Sequence, residues 1–436
     1  MRSTFRALLI RNYRLYAAGS LVSNVGTWMQ RVAQDWLVLQ LTGSGAALGI
    51  TTGLQFLPIL LFSPYAGVLA DRFPKRRVLA VTQSTMGVTA AVLGLLAVTG
   101  AAQIWHVYVL AFLFGVGTAF DAPARQAFVT EMVDREHVTN AVGLNSASFN
   151  LARVIGPAVA GFLIAGLGGG ATATGWVILL NAVSYLAVIV SLTQMHVDEL
   201  ATDEPAARTK GMIRDGLRYV RSRPDIMLIL AIVFTAGTFG LNFQMTMALM
   251  ATDVYGKGAG EYGVLGSIMA VGSLTGSLLA ARRVQPRQRL VIGAAVAFAL
   301  VEIVAGLMPT YLTFALILPL CGLTALTMIT AANAFVQLSV APYVRGRVMA
   351  LYMAIFMGGT PLGAPVLGWV AEEFGSRWTL VGGGLMTLLG TLLATAVFTR
   401  RNGLVVRPHF LPRPGVHVMN RAEYAAERRR AAVPAA

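Results

Sequence analysis

Twelve stretches of 20 or so mostly apolar residues run along this 436-residue chain, separated by short polar loops. Hydrocarbon holds no water to satisfy a backbone N–H or C=O, so each stretch must close its own hydrogen bonds as a helix. The stretches lie near residues 14–41, 46–70, 78–99, 104–128, 140–165, 174–195, 226–250, 262–281, 288–308, 312–337, 345–370 and 378–399. That pattern predicts an all-α polytopic membrane protein with twelve transmembrane helices. Charged residues are only 12% of the chain and apolar residues 56%, which leaves too little polar surface for a soluble multidomain enzyme and too many aliphatics for a disordered chain. The single cysteine, Cys321, excludes a disulfide framework and a thiolate metal cluster. The first stretch, interrupted by Asn24, Arg31 and Asp35, is too long and too polar for a signal-peptide core, so it is expected to remain as the first span.

Orientation follows from the cations. Of 34 Lys and Arg, 29 fall at the N-terminus, in every second loop or in the C-terminal tail. Two, Lys257 and Arg377, occupy the opposite loops, and three, Arg31, Arg125 and Arg153, lie inside spans. Positively charged short loops stay in the cytoplasm, so both termini are expected there. The net charge of +15 then faces anionic lipid, and nucleic acid is not an expected partner.

One long hydrophilic insert, residues 196–225, divides six spans from six. The expected organisation is an N-terminal half (1–195), a cytoplasmic linker (196–225), a C-terminal half (226–399) and a basic cytoplasmic tail (400–436). Within the linker Ile213, Leu217 and Val220 recur opposite Arg214, Arg218 and Arg221, the pattern of a helix lying on the membrane surface. A faint repeat relates the halves: Gly67 to Gly276 at an offset of 209, and Gly156 with Gly161 to Gly363 with Gly368 at an offset of 207. Two six-span halves in parallel repeat are a construction used by transporters that rock about a central site.

After the second span the chain reads Gly67-Val-Leu-Ala-Asp71-Arg72-Phe-Pro-Lys75-Arg76-Arg77, which resembles the signature of the major facilitator superfamily. It departs from that signature at Pro74, where Gly is usual, and the second-half copy at Gly276 lacks the acid. Asn24-Val-Gly-Thr-Trp28-Met-Gln-Arg31, Phe120-Asp121-Ala-Pro123-Ala-Arg125 and Arg153-Val-Ile-Gly156-Pro157-Ala-Val-Ala-Gly161 resemble the bacterial branch that contains macrolide-efflux and enterobactin-export proteins. The Gly156-Pro157 element, closed by Gly161, is similar to the bend motif of antiporters, although the paired glycines at its end are here Ala160-Gly161. An arginine that many drug exporters carry in the fourth span would fall at Ala111 and is missing. The resemblance covers roughly residues 10–400 and implies a bacterial plasma-membrane exporter acting as a monomer. Its gate at the cytoplasmic side would comprise Gly67, Asp71, Arg72, Arg76, Asp121 and Arg125. Asp71 would accept from the free amides near Arg347 and Val348, and Arg76 would pair with Asp121.

An ionisable group in hydrocarbon costs several kcal/mol unless paired or hydrated, so each one inside a span is a functional candidate. Asn24, Trp28, Arg31 and Asp35 are spaced to share one helical face, expected to line the central cavity. Asp35 is the candidate proton carrier, with Arg31 or Arg153 as counter-ion, and a static ion pair is the competing account. Arg153 either holds an anionic substrate or neutralises Asp35. Glu302, in the ninth span, and Asn333, in a polar stripe with Thr327, Thr330 and Gln337, are further candidates. Met245, Met247 and Met250, and Met349, Met353 and Met357, suit either a soft pocket or ordinary packing.

No His-Glu-x-x-His pair or Gly-x-x-x-x-Gly-Lys-Ser/Thr loop occurs, so neither a metal enzyme nor a nucleotide-driven pump is expected. No cofactor is needed, and a proton gradient is the expected driving force. The reading is a secondary exporter of small amphipathic molecules (a drug, a siderophore or a natural product) by proton antiport. A metabolite importer and a non-transporting sensor of the same fold are the alternatives.

Overall fold

Backbone self-satisfaction produces thirteen helices in the computed structural model, which describes residues 5–201, 212–281 and 287–402 and the backbone of 404–409 and 415–420. The N-terminal half holds α1 (Arg11–Thr42), α2 (Gly45–Arg72), α3 (Lys75–Val98), α4 (Ile104–Glu131), α5 (Val138–Gly166) and α6 (Ala171–Thr193). A short linker helix, α7 (Met212–Ser222), leads into the second half. There follow α8 (Pro224–Val254), α9 (Ala259–Ala281), α10 (Gln288–Gly306), α11 (Tyr311–Ser339), α12 (Arg345–Phe374) and α13 (Arg377–Arg401). Every expected span is present, with ends displaced by at most four residues.

Eleven of these helices are long and apolar enough to cross a membrane. The twelfth, α1, is long enough at 32 residues but too polar, because Ser20, Ser23, Gln30, Gln34 and Asp35 are buried along it. Its polarity faces other helices rather than lipid. Helix α8 is the opposite case, with a mean hydropathy of 2.1, and it is interrupted by two π-helical segments, Ala236–Gly240 and Met250–Val254. Each such segment inserts a residue into the helical ladder and re-aims the side chains that follow.

Successive spans alternate in direction, so one end of the bundle carries residue 11 and the linker, and the far end carries the loops after α1, α3 and α5. Four of the six tryptophans, Trp105, Trp176, Trp369 and Trp378, lie exposed near the far end, the placement expected of an aromatic belt at a membrane interface.

The two halves meet along two seams built on glycine. In α5 a Cβ at Gly156 would lie 2.5 Å from Trp28 Cβ of α1, and one at Gly161 would lie 2.5 Å from the Ala259 carbonyl oxygen of α9. In α12 a Cβ at Gly363 would lie 1.5 Å from the Thr238 oxygen of α8, and one at Gly368 would lie 2.5 Å from the Gly45 oxygen of α2. Each copy of the pair therefore does the same work: the first glycine seats its helix on the first helix of its own half, the second on the second helix of the other half. Close backbone approach through small residues is how helices gain dispersion energy where lipid removes any hydrophobic drive. Pro157, expected at a bend, sits inside a continuous α5, and its carbonyl oxygen lies 2.2 Å from where a Cβ at Gly263 would be.

Among the described residues the hydrogen bonds that cross between halves lie at mid-depth or toward the far end. They are Ser44 to Glu372, Ala46 to Glu372, Ala158 to Ser267, Arg153 to Ser273, and Gln244 and Tyr262 to Asp35. Nearer the opposite end, Gly143 of α5 and Gly346 of α12 face open space.

The linker helix forms where its periodicity predicts. Val220 is buried, Arg218 and Arg221 are exposed, and Gly216 rests against Arg347 of α12, so the helix leans on the bundle. Leu217, expected on the buried face, is 38% exposed, while Ile213 and Arg214 have side chains outside the described residues. Beyond α13 the backbone forms a hairpin that the sequence reading lacked, β1 (Leu404–His409) paired antiparallel with β2 (Gly415–Asn420).

Candidate transport site

Asp35 is 2% exposed, about three-quarters of the way along α1. Its Oδ2 accepts from Gln244 Nε2 of α8 at 2.7 Å and from the Tyr262 hydroxyl of α9 at 2.9 Å. That hydroxyl also lies 3.1 Å from the Gln244 carbonyl oxygen, so its one proton is shared between two acceptors. Gln244 lies in the first turn after α8 is interrupted by the π-helical segment Ala236–Gly240 and a break at Leu241–Asn242, and from there its amide reaches across to the first half. One carboxylate thus joins three helices from both halves.

The expected counter-ions make no direct contact with this carboxylate, although Arg31, one turn away, acts on it through space. Among the described residues neither Arg31 nor Arg153 forms an ion pair with Asp35; neutral donors from the other half occupy its oxygen instead. The Arg31 guanidinium lies back along α1 over Trp28, 4.6 Å from the ring centroid, and 5.8 Å from the centroid of Phe56. Arg153, from α5, approaches the same indole at 5.7 Å, and its Nη2 lies 3.4 Å from Ser273 Oγ of α9. Phe149 meets Trp28 edge-on at 5.7 Å. The helical face read from the sequence therefore divides. Asp35 belongs to a cross-half clamp, and Trp28 gathers two arginines, with Asn24 half-buried one turn earlier.

A second polar cluster lies near the other end of α4. Asp121 accepts from Thr82 Oγ1 at 2.9 Å and Gln83 Nε2 at 2.7 Å, and it pairs with Arg125 at 2.9 Å, while Arg125 Nη1 lies 3.4 Å from Ser20 of α1. Arg76, expected on Asp121, donates through Nε to the Leu192 carbonyl at 2.6 Å. The reason is local: Asp121 is buried and already served by three donors, whereas Arg76 opens α3 beside the unpaired carbonyls that end α6, where the helix dipole favours a cation. Lys75 pairs with Glu131 at 2.6 Å. Arg72 is exposed in the last turn of α2. The surroundings of Gly67 and Asp71 lie outside the described residues, and with them the expected contact to the start of α12.

Glu302 is 1% exposed and enclosed within the second half: a Cβ at Gly240 would lie 3.0 Å from its Oε2, and one at Gly383 would lie 3.2 Å from its Oε1. Asn333 accepts from Gln337 at 2.7 Å. Met245, Met247 and Met250 are buried packing residues, whereas Met353 is exposed. A groove of about 590 Å³ between α3 and α4 is lined by Val81, Val88 and Leu113 and by Ser84, Thr85 and Thr89, the two threonine hydroxyls bonding to their own helix, so it offers lipid a mostly apolar wall.

Sequence reasoning missed Gln244 and Tyr262, and also the amide pairs Gln34–Gln55 at 3.0 Å and Gln30–Asn181. The signal was available: a carboxamide or phenol inside a span requires a partner on another helix as a charge does, only less urgently.

Two related six-helix halves, meeting along glycine seams and across one buried carboxylate, define a major facilitator transporter rather than an enzyme. The chain belongs to the transmembrane secretion effector family, in the exporter branch of that superfamily, and the match spans residues 2–410. It is 26% identical to the staphyloferrin A transporter of Staphylococcus aureus over 87% of this chain and 94% of that one. It is 29% identical to the multidrug efflux pump Tap of Mycolicibacterium fortuitum, covering 89% and 95%, and 24% identical to macrolide efflux protein A of Streptococcus pyogenes, covering 85% and 92%. Among solved folds, a bacterial homolog of the human lysosomal transporter Spinster, in an inward-facing and occupied conformation, superimposes with a TM-score of 0.69 at 16% identity, covering 90% of this chain and 97% of that one. A D-xylose–proton symporter gives 0.67 at 13% identity, covering 87% and 97%.

Proposed function

We propose that this protein exports small amphipathic molecules across the bacterial plasma membrane in exchange for protons, by alternating access, with Asp35 as the proton carrier. The observation that carries the proposal is the clamp on Asp35. Ionised, its carboxylate accepts from Gln244 and Tyr262 and holds α1 to α8 and α9. Protonated, the same group keeps an acceptor oxygen but loses its charge, so the two charge-assisted bonds become ordinary ones and the attraction between the halves weakens. A single proton then biases the equilibrium between two arrangements of the bundle, which is what coupling requires.

Both termini are assigned to the cytoplasm by the basic loops and tail, so the cross-half bonds toward the far end lie on the side away from the cytoplasm. Gly67, Asp71, Arg72 and Arg76 form the cytoplasmic gate, while Asp121 and Arg125 brace α4 against α1 and α3 behind it. The N-terminal half (1–195) and C-terminal half (226–399) rock about the two seams, tethered by the linker (196–225), and the monomer is the working unit. The efflux activities named for the relatives support the direction and the substrate class.

The test uses purified protein in liposomes with an acidic lumen and a trapped pH dye, challenged with lipophilic cations, macrolides and siderophores. Substrate-triggered proton release by wild type and its loss in Asp35→Asn is the expected result. Equal proton release by both would remove Asp35 from the coupling, and substrate flux without proton movement would remove the antiport.

A further inference from the structure

We infer that Arg31 and Arg153, gathered on Trp28 at the junction of the halves, form a binding site for the carboxylate of an amphipathic organic anion. The inference rests on the transport reading for the identity of the ligand as cargo, and it specifies the cargo's chemistry.

Two guanidiniums from different helices share one indole, at 4.6 Å and 5.7 Å from its centroid, with no ion pair to either among the described residues. The nearest acid along α1, Asp35, is engaged by Gln244 and Tyr262 instead. The Nε of Arg31 is buried without a hydrogen-bond partner, and the one polar contact of Arg153 is a long one to Ser273. Two like charges held together away from bulk water repel and retain their desolvation cost until an anion arrives. A guanidinium is built to take a carboxylate through two parallel N–H donors, and the two here reach the same indole from α1 and α5. Trp28 with Phe149 of α5 edge-on to it, and Phe56 of α2 beside the Arg31 guanidinium, supply apolar surface for the rest of such a molecule. Ser273, from the other half, lets an occupant touch both halves at once, the requirement for a ligand to influence their rocking.

Binding is measured without a gradient, so the outcome is independent of proton coupling and of export. The probes are three carboxylates of increasing size (dansyl-glycine, naphthylacetate and deoxycholate), each beside its neutral carboxamide, titrated into wild-type protein in lipid nanodiscs. At least one carboxylate should bind about tenfold more tightly than its amide, equivalent to about 1.4 kcal/mol. Arg31→Gln and Arg153→Gln should each reduce that preference several-fold while leaving amide affinity unchanged, and Arg153→Lys should retain part of it. Thermal unfolding identifies any variant that fails to fold, and the wild-type comparison stands without it. No carboxylate preference across the three pairs, whether both members bind alike or neither binds, overturns the inference. A preference that survives both Gln variants overturns the assignment to these residues. Carboxylate binding of this kind in a protein that shows no efflux would leave the site in place and reject the export reading.

Discussion

Helices α1 and α8 open the two halves and occupy equivalent places, yet they are built on opposite plans. The first is straight and polar, with Asp35 and two buried glutamines facing protein and Arg31 half-buried over Trp28. The second is among the most apolar in the chain and is broken by two π-helical segments. In the proposed mechanism the chemistry belongs to α1, and α8 brings one uncharged side chain, Gln244, to it. An intramembrane charge is costly to duplicate, so meeting Asp35 with neutral donors from the other half satisfies it at less cost.

The comparison breaks most completely at its charged partner. Asp35→Asn should lower substrate-triggered proton movement by about a hundredfold or more, roughly 2.7 kcal/mol in coupling, with thermal stability near wild type; normal coupling would mean that α1 carries no special chemistry. Gln244→Leu leaves the backbone of α8 in place and removes the amide that it brings to Asp35. If α8 serves to supply that donor, the folded variant should slow proton release by more than about tenfold in the same assay.

Packing gives the next effect. Gly363→Ala places a methyl where the Thr238 backbone leaves no room, and thermal unfolding should show a loss of about 1–3 kcal/mol, whereas Gly143→Ala, facing open space, should be neutral or slightly stabilising. A smaller loss belongs to Tyr262→Phe, which removes one of two donors to a charged acceptor and should slow proton-coupled flux by about tenfold, about 1.4 kcal/mol and just under the range typical of such bonds because the hydroxyl proton is shared with the Gln244 carbonyl, while coupling persists. If Tyr262→Phe abolished coupling as fully as Asp35→Asn, the clamp would depend on both halves equally and the contrast between α1 and α8 would collapse.

The sequence was most informative where one physical rule acts alone. Backbone satisfaction in hydrocarbon located every span, and the 207-residue offset of Gly156 and Gly161 to Gly363 and Gly368 became a pair of matching seams. Partner choice was less legible, because one turn of spacing makes Arg31 a neighbour of Asp35 but does not say which donors the fold will bring from 209 and 227 residues away. Proximity along α1 lost to contact between halves. The same limit misdirected Arg76, whose charge suggested an acid while the end of α6 offered carbonyls nearer the membrane edge. The π-helical segments of α8 do differ in composition, with Gly237 and Gly240 in one and Thr252 and Asp253 in the other, but residues of these types also occur in regular spans of this chain and do not by themselves specify a π-turn.

At both seams the closest approaches involve main chain: Gly161 and Gly263 bring α5 and α9 together, and Gly49 and Gly368 do the same for α2 and α12. A joint of this kind has no rotamers to absorb displacement, so it can roll or separate but cannot yield gradually. With one such joint on each flank of the central site, loosening either alone would skew the bundle against the other. Release toward the far side would then behave as a single switching event rather than a graded widening.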